Sequence, residues 1–306
     1  MQRSTANLLL LLAGLIWGGG FVAQATAMED IGPSLFMSLR MSLAALALLP
    51  LALIEHRKSG SQSPFFAELM GKGMGASAFY VGVAFFLAMI LQQVGLLTTT
   101  VTNAGILTGL YVVMVPIMVL LIFGERQLPI VWPCALASFV GIWLLGGGSL
   151  NGLTIGDGLV ILGAAFSAAH VILLGRTVKN QNRPAQLACF QFAYSAGLSM
   201  LCFAVLRGFD VSFEPAVSQT TLIAAAPEIL YAAFLAGAVS FTLMAYCQQY
   251  TDAADAAILL SSEALFAAIC GAIFLGERLT MTGYLGCAIL FAAIATVGVA
   301  SARQDD

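Results

Sequence analysis

The chain has 306 residues, of which 60% are hydrophobic and only 9% are charged. Soluble globular proteins carry roughly 25% charged residues, so this composition cannot cover a water-facing surface and excludes an ordinary soluble protein. The net charge of −3 and the lack of a basic patch give no sign of nucleic-acid binding. The apolar residues come in runs of about 20, the length that crosses a bilayer core, and indicate an integral membrane protein in contact with a lipid bilayer.

The apolar runs predict an all-α integral membrane fold with ten transmembrane helices. Helices are required because unpaired backbone is not tolerated in lipid and the alternating pattern of a barrel strand is absent. In chain order the ten predicted helices cover about 6–27, 33–54, 73–97, 102–123, 128–147, 157–176, 185–206, 228–249, 255–275 and 280–300. Arg3 and the stretch Ala25-Thr26-Ala27 give the first run some likeness to a signal peptide. The run is long for such a peptide, so we interpret it as the first helix.

An internal repeat divides the chain. Residues 251–299 align with residues 99–147 at a shift of 152 positions. Each copy holds an apolar segment, a short polar turn and a second apolar segment, and the turns are Gly124-Glu125-Arg126 and Gly276-Glu277-Arg278. Such repeats set the architecture. We therefore predict two similar halves of five helices each, residues 1–150 and 151–306.

The distribution of positive charge predicts the orientation in the membrane, because cytoplasmic connections are enriched in Lys and Arg. With the N-terminus in the cytoplasm, the inner side receives Arg3, Arg57, Lys58, Lys72, Arg126, Arg176, Lys179, Arg183 and Arg303, and the outer side receives Arg207 and Arg278. Both termini are then cytoplasmic. Five helices per half make the two repeats inverted in topology, and inverted repeats with a binding site near the membrane centre are a design of secondary transporters.

Two formal charges lie well inside the predicted helices, Arg40 in the second and Glu263 in the ninth. Both lie roughly 10–13 Å deep at 1.5 Å per residue, and charges at such depth mark functional sites. Arg40 suits a carboxylate, because its planar fork donates two parallel hydrogen bonds. Glu263 suits a cationic substrate group or a coupling proton. The alternative interpretation is a buried Arg40–Glu263 ion pair that locks the two halves together.

Neutral polar residues in other helices extend the candidate site. His170 in the sixth helix is either a neutral histidine bonded to a neighbouring carbonyl or a proton carrier, since histidine titrates near neutral pH. Tyr111 and Asn103 are the repeat counterparts of Glu263 and Asp255. Further candidates are Trp17, Gln92, Gln93, Gln191, Tyr194, Gln248 and Gln249. The alternative for each is a hydrogen bond to a neighbouring helix without a role in function.

Other features predict packing rather than chemistry. The six cysteines lie in apolar runs without a CxxC pair, so we expect neither disulfides nor a metal site. There is no Walker motif, Gly-x-Ser-x-Gly elbow or His-Glu-x-x-His pair, so we predict no catalytic residues and no cofactor. Gly18-Gly19-Gly20 should let helices approach closely, and Pro116 should kink the fourth helix.

The whole chain resembles the drug/metabolite transporter superfamily, in particular its EamA-type ten-helix permeases. The residues that carry the resemblance are Leu15-Ile16-Trp17-Gly18, Phe21-Val22, Arg40, the stretch 103–113 followed by Pro116, the stretch 263–268 and both Gly-Glu-Arg turns. Family members usually have proline after the glutamate of the ninth helix, whereas this chain has Ala264, which weakens the case for a kink there. The second half also lacks the tryptophan and arginine, and Ser167 and Gln191 stand near their places.

The resemblance implies a carrier that exports small metabolites, often amino acids, from a bacterial cytoplasm, and hence a place in the inner membrane. It also implies that helices one to four and six to nine surround a central cavity. Helices five and ten would be peripheral supports and contacts for a homodimer.

Together these observations predict a secondary carrier that works by alternating access on small zwitterionic metabolites, first among them amino acids, with protons as the candidate coupling ion. The predicted substrate-binding residues are Trp17, Arg40, Gln93, Asn103, Tyr111, His170, Tyr194, Gln248 and Glu263. Nucleotide sugars and organic phosphates are the alternative substrates. A membrane enzyme built on Glu263 and His170, or a receptor that does not transport, are the alternatives from other classes.

Overall fold

The computed structural model describes residues 1–28, 30–99, 101–148, 154–209, 213–215, 217–274 and 278–302, and of residues 21, 22, 25, 101, 102, 271–274, 301 and 302 it describes the backbone alone. Gly276, Glu277 and Arg303, and the side chains of Phe21 and Val22, therefore lie outside the described residues. Within the described ranges the chain is helical apart from short connections, and these ranges contain no strand.

The first half forms five long helices. They are α1 (Arg3–Ala27), α2 (Pro33–Lys58), α3 (Met74–Gly95), α4 in two pieces (Val101–Thr108 and Tyr111–Phe123) and α5 (Val131–Leu145). The second half repeats the pattern with α6 (Ile155–Gln181), α7 (Pro184–Gly208), α8 (Ala226–Cys247), α9 in two pieces (Ala253–Leu260 and Ser262–Phe274) and α10 (Met281–Ala302). Short helices at Phe65–Leu69 and Gln219–Ala224 lie in the two longer connections.

The ten-helix membrane fold predicted from the sequence is confirmed. By length and composition, eight of the described helices can cross a membrane. The other two are α1, with 25 residues, and α5, a shorter apolar helix of 15 residues. The structure differs from the prediction mainly at the helix ends, where several helices extend beyond their apolar runs by a turn or more.

Local sequence signals account for several helix ends. Pro33 and Pro184 occupy first helical positions, where proline loses no hydrogen bond. Thr154 and Asp157 form a reciprocal capping box at the start of α6. Gly124 ends α4 at a φ of 70°, a left-handed conformation that glycine adopts without strain.

Helix packing follows the repeat. α1 packs on α8 and α9, and α6 packs on α3 and α4 in the same way, while α2 pairs with α7 and α5 with α10. Exchanging each helix of the first half for its counterpart in the second, α1 for α6 and so on, reproduces this set of contacts. The two halves are therefore related by an approximate two-fold axis, and they interlock instead of forming separate bundles.

Glycine allows close crossings between the halves. A Cβ atom on Gly18 of α1 would lie 2.7 Å from the backbone nitrogen of Ala267 in α9. A Cβ atom on Gly286 of α10 would lie 2.5 Å from the carbonyl oxygen of Gly141 in α5. Small residues let membrane helices approach closely, so these positions fix how the halves meet.

Both repeats interrupt the same helix at the same place. α4 is interrupted at Gly109 and Leu110, and α9 is interrupted at Ser261, the repeat counterpart of Gly109. In each case the helix tightens locally, with hydrogen bonds of 3.1 Å from Val112 N to Gly109 O and from Ala264 N to Ser261 O. The interruption of α4 thus precedes Pro116, where we predicted a kink. α9 is interrupted even though it has alanine at position 264.

The two chain ends meet at one end of the bundle, which we call the terminal end. There the side-chain amide of Asn7 near the start of α1 donates to the carbonyl oxygen of Gly298 near the end of α10 at 3.3 Å. Arg3 bonds to Asp255 at the start of α9. The other end, which we call the far end, carries the starts of α2 and α6.

Candidate functional site

A cavity of about 80 Å³ lies at the level of the two helix interruptions, with room for several water molecules. It is lined by Trp17, Gly20, Gln24, Arg40, Phe85, Ala88, Met89, Gln92, Thr108, Tyr111, Ser167, His170, Val171, Ala236, Phe241, Met244, Leu260 and Glu263. These residues come from α1, α2, α3, α4, α6, α8 and α9, so both halves contribute. The cavity is the centre of the two-fold arrangement.

The lining residues differ in how close they lie to the two ends of the bundle. α1 runs from the terminal end toward the far end, so Gln24 lies roughly 10 Å nearer the far end than Trp17. Arg40 contacts Gln24 there, with 3.3 Å between Nη1 and Oε1. Met244 on α8 and Leu260 on α9 lie on the terminal side, because α8 runs toward the terminal end and α9 starts from it.

Arg40 is a buried cation with unused hydrogen-bonding capacity. Its side chain is 4% exposed, and its guanidinium carbon lies 5.7 Å from the centre of the Phe36 ring. Among the described residues the Nε atom has no hydrogen-bond partner. A carboxylate in the cavity would satisfy this donor and the remaining N–H groups, because guanidinium binds such groups in a fork.

Glu263 faces the cavity from the second residue of the second piece of α9. Gly14 and Gly18 of α1 cross directly against its backbone, since a Cβ atom on Gly18 would lie 2.9 Å from the carbonyl oxygen of Glu263. Among the described residues no ion pair within 4.0 Å joins Glu263 to Arg40. The structure therefore does not contain the locking pair that we considered from the sequence.

Tyr111 lies at the repeat position of Glu263 and also lines the cavity. Its hydroxyl group is 3.5 Å from the carbonyl oxygen of Ala257, a long contact that leaves the phenol adaptable. On the neighbouring helix the side-chain amide of Gln92 donates to the hydroxyl of Thr108 at 2.7 Å. Polar groups of α3 and α4 thus line the same cavity as Glu263.

Aromatic rings form one wall of the cavity. The centre of the Phe241 ring lies 4.7 Å from that of Trp17 and 4.5 Å from that of Phe85. His170 adds its ring 5.0 Å from Phe85. One ring nitrogen of His170, Nε2, lies 3.0 Å from the side-chain oxygen of Gln191.

A π-helical segment in α8, Tyr231–Val239, positions Trp17. The backbone N–H of Ser240 donates to the carbonyl oxygens of Leu235 and Gly237 and not to that of Ala236. The indole Nε1 of Trp17 donates to this carbonyl oxygen at 2.8 Å. Tyr231 adds a second link between α8 and α1, because its hydroxyl donates to the carbonyl oxygen of Ile16 at 2.7 Å.

Of the nine predicted substrate-binding residues, five line the cavity, namely Trp17, Arg40, Tyr111, His170 and Glu263. The other four, Gln93, Asn103, Tyr194 and Gln248, contact other parts of the bundle. Gln93 is buried and donates to the carbonyl oxygen of Gln24 at 3.4 Å. Its neighbour Gln92 reaches the cavity instead, because successive residues on a helix point about 100° apart.

The remaining three predicted residues tie helices together. Gln248 donates to the carbonyl oxygen of Val171 at 3.1 Å. The hydroxyl of Tyr194 donates to the carbonyl oxygen of Leu69 near the terminal end. Asn103 lies beside Asp157 at the far end. These contacts are of the interhelical kind that was the alternative interpretation for each.

Several lining residues were not among the nine predicted substrate-binding residues, although Gln92 was among the further candidates. Gln24, Gln92, Thr108 and Ser167 are polar, and their place in apolar runs is a usable signal. Phe85 and Phe241 gave no such signal, because an aromatic residue on a cavity wall looks the same in sequence as one that faces lipid.

Ion pairs join helices at the terminal end of the bundle. Nη2 of Arg3 lies 2.8 Å from Asp255 and 3.3 Å from Asp252, and Lys179 lies 2.6 Å from Asp252. We call these four residues the terminal cluster. Burial raises the pKa of the Asp252 carboxyl, but the hydrogen bonds and charges of Lys179 and Arg3 outweigh it, so the pKa lies below its usual value.

Hydrogen bonds around single carboxylates join helices at the far end. Asp157 accepts from the hydroxyl of Thr99 and from the backbone nitrogen of Thr154, the latter at 2.7 Å. Glu214 accepts from the backbone nitrogen of Ser34 at 2.6 Å. Thr99 is the repeat counterpart of Thr251, which bonds Asn7 at the terminal end at 3.3 Å. The contacts at the two ends are therefore built from corresponding elements but differ in chemistry.

Comparison with known proteins agrees with this architecture. The model of the EamA-like transporter family matches residues 4–147 and again residues 154–299. The chain belongs to the EamA-like transporter family. An uncharacterized transporter from Archaeoglobus fulgidus is 32% identical over 303 residues, which cover 98% of this chain and 87% of that protein. The uncharacterized transporter YwfM from Bacillus subtilis is 23% identical over 313 residues, 99% of this chain and 97% of that protein.

A solved crystal structure shares the fold of this EamA-like protein. It superposes with a TM-score of 0.75 at 17% identity and covers 100% of this chain and 99% of the other. The protein is thus a multi-pass membrane transporter of the EamA type, a member of the drug/metabolite transporter superfamily.

Proposed function

We propose that this EamA-like protein is a secondary transporter of small zwitterionic metabolites, first among them amino acids, and that it works by alternating access around the central cavity. The observation that carries the proposal is the placement of Arg40 and Glu263. Both face one cavity between the two halves, and in the described part of the chain they do not pair with each other. A ligand with both charges would complement them.

Each charged residue takes one substrate group. Arg40 binds the carboxylate through its free donors, and Glu263 binds the ammonium group. Tyr111, Gln92 and Ser167 offer neutral hydrogen bonds between them. A proton that is coupled to transport would be carried on Glu263 or His170. No chemical change of the substrate belongs to this proposal, which distinguishes it from a membrane enzyme.

The two-fold arrangement supports alternating access. Residues 1–150 and 151–306 act as the two moving halves, and each end of the cavity has its own closure. Opening the terminal cluster admits substrate from one side, and opening the contacts around Asp157 releases it on the other. Charge asymmetry in the connections supports a cytoplasmic terminal end. The resemblance to metabolite exporters supports the bacterial inner membrane as the location and export as the direction.

Nucleotide sugars and organic phosphates suit the site less well. Phosphates bind well where cations can pair with them, and among the described residues that line the cavity Arg40 is the one Lys or Arg. An enzyme built on Glu263 and His170 is likewise less favoured, because Nε2 of His170 is engaged by Gln191.

The outer surfaces of α5 and α10 are the proposed contacts of a homodimer. Both helices lie beside the ring of cavity-lining helices and expose large apolar side chains, with Leu136 58% and Phe291 63% exposed. Lipid can cover such a surface as well as a second copy of the chain can. Chemical cross-linking in membranes tests the proposed dimer, and a cross-linked product of twice the mass of the chain would support it.

Counterflow in proteoliposomes tests the function. Vesicles are loaded with unlabelled amino acids, and entry of labelled ones is followed. We expect Glu263→Gln and Arg40→Lys each to lower transport by about 10-fold or more. Glu263→Gln removes a charged contact worth roughly 1.5–3 kcal/mol, and Arg40→Lys keeps the positive charge but loses the planar fork that binds a carboxylate through two hydrogen bonds. Ser199→Ala is the matched control, since Ser199 is buried without a hydrogen-bond partner among the described residues and does not line the cavity.

The outcomes separate the candidates. Wild-type activity in both variants would remove these residues from the mechanism. No movement of any amino acid by folded protein would contradict the proposal and direct the search to nucleotide sugars and phosphates. Covalent change of a substrate without net movement would favour an enzyme.

A further inference from the structure

The cavity offers different chemistry at its two ends. The far side holds Gln24 and Arg40, and Glu263 stands at the level of the helix interruptions. The terminal side holds Val171, Met244 and Leu260, and Phe241 adjoins them. One side therefore suits charged groups, and the other side suits a hydrocarbon surface.

Two polar atoms of the aromatic wall are already bonded within the protein. The indole N–H of Trp17 is bonded to the carbonyl oxygen of Ala236, and Nε2 of His170 is bonded to Gln191. Phe85, Phe241 and Met244 offer no strong donor or acceptor. A substrate that lies against Trp17, Phe85, Phe241 and Met244 meets ring faces and a thioether.

This wall penalises polar groups. A hydroxyl or amide that leaves water must find a hydrogen-bond partner, or it loses the free energy of its hydration. An apolar group of the same size loses nothing comparable and gains from burial. The wall thus favours a hydrocarbon, thioether or aromatic group.

We infer that the substrate carries a large apolar side chain, which packs against Trp17, Phe85 and Phe241 while its charged groups bind Arg40 and Glu263. The inference rests on the proposed function and adds the side-chain class to it. Phe85 and Phe241 become specificity-determining residues. The π-helical segment of α8 has a positioning role, because it supplies the carbonyl group that holds the Trp17 ring at the wall.

Competition in the counterflow assay tests the side-chain class. Unlabelled leucine and asparagine are compared as competitors, because their side chains have nearly the same shape and differ in polarity. We expect leucine to compete at least about 10-fold better than asparagine, the lower end of the discrimination that a hydrophobic pocket achieves per methylene. Methionine and phenylalanine should compete like leucine, whereas glycine and serine should compete poorly.

Three outcomes are distinct. A preference for leucine supports the inference. Equal competition by asparagine, with transport of either one, overturns the inference and leaves the proposed function standing. No competition by any amino acid overturns both.

Two matched variants locate the preference. Phe241 and Phe192 belong to one aromatic cluster, with ring centres 5.7 Å apart, but only Phe241 lines the cavity. Phe241→Leu should reduce the preference for phenylalanine over alanine by about 2- to 10-fold, the range of one aromatic contact, and Phe192→Leu should leave it unchanged. Equal reductions in two folded variants would assign the effect to general packing and overturn the role of the wall.

Discussion

At the scale of single residues, charged side chains inside predicted membrane helices were the strongest indication of the site in the sequence. Arg40 and Glu263 stood out in the sequence because charge inside a membrane is expensive, and the structure places both on one cavity. A stable protein keeps such groups only when other contacts offset that cost. Their lack of mutual pairing in the described chain leaves the ligand as their proposed partner.

Trp17 allows a test of one residue contact. Trp17→Phe keeps an aromatic ring but leaves the buried carbonyl oxygen of Ala236 without its donor. We expect a loss of roughly 1–3 kcal/mol in the free energy of unfolding, the usual cost of an unsatisfied buried group. Thermal unfolding in detergent measures it.

Tyr231→Phe is the comparison for this prediction. It removes the hydroxyl that bonds the carbonyl oxygen of Ile16 in the same pair of helices. A similar loss in both variants is expected if the two bonds together join α1 to α8. Unchanged stability of Trp17→Phe would show that the bond to Ala236 contributes little.

At the scale of helices, the repeat explains where the site lies. α4 and α9 are interrupted at equivalent positions, and the residues just after the interruptions, Tyr111 and Glu263, both face the cavity. Interrupted helices at the centre of inverted repeats are a recurrent basis of transporter sites. The cavity is thus a consequence of the repeat and of local departures from helical geometry.

A glycine pair tests the crossing of α1 and α9. Gly18→Val should disrupt folding or abolish transport, because even a Cβ atom at this position would lie 2.7 Å from the backbone of α9, which cannot move aside. Gly197→Val is the matched control, since a Cβ atom on Gly197 meets nothing within 4 Å. Size-exclusion chromatography and counterflow report the two effects, and normal behaviour of Gly18→Val would contradict the close crossing.

The number of helices and their topology could be predicted from the sequence, but the rotation of each helix about its own axis could not. Runs of apolar residues and the repeat determine how many helices form and in which direction they run. Whether Gln92 or Gln93 meets the cavity depends on a rotation of about 100° that a uniformly apolar run does not encode. Phe85 and Phe241 were missed for the same reason, and the interruption at Ser261 has no proline to signal it.

At the scale of the whole molecule, the proposed alternating access assigns the choice of the side that the cavity faces to the contacts at its two ends, the two proposed closures. They consist of corresponding elements of the two halves, but the terminal cluster contains formal ion pairs whereas the far end has hydrogen bonds around Asp157 and Glu214. A ligand or a substitution shifts an equilibrium between two conformations only by stabilising one of them more than the other. Removing the contacts that stabilise closure at one end should therefore shift the population toward the conformation that is open at that end.

Arg3→Gln should therefore open the terminal end. Loss of its contact with Asp255 at 2.8 Å removes about 1–2 kcal/mol from the closed state, which corresponds to a roughly 5- to 30-fold population shift. The readout is the labelling rate of a cysteine at Ser167 in the cavity by a membrane-impermeant thiol reagent added at the terminal end. Arg57→Gln, which removes a charge outside the terminal cluster, should leave the rate unchanged.

A charge exchange tests whether the ion pair is responsible. Slow labelling in the double variant Arg3→Asp with Asp255→Arg would assign the effect to the ion pair. Equal labelling rates in the wild type and Arg3→Gln would refute a gating role for the terminal cluster.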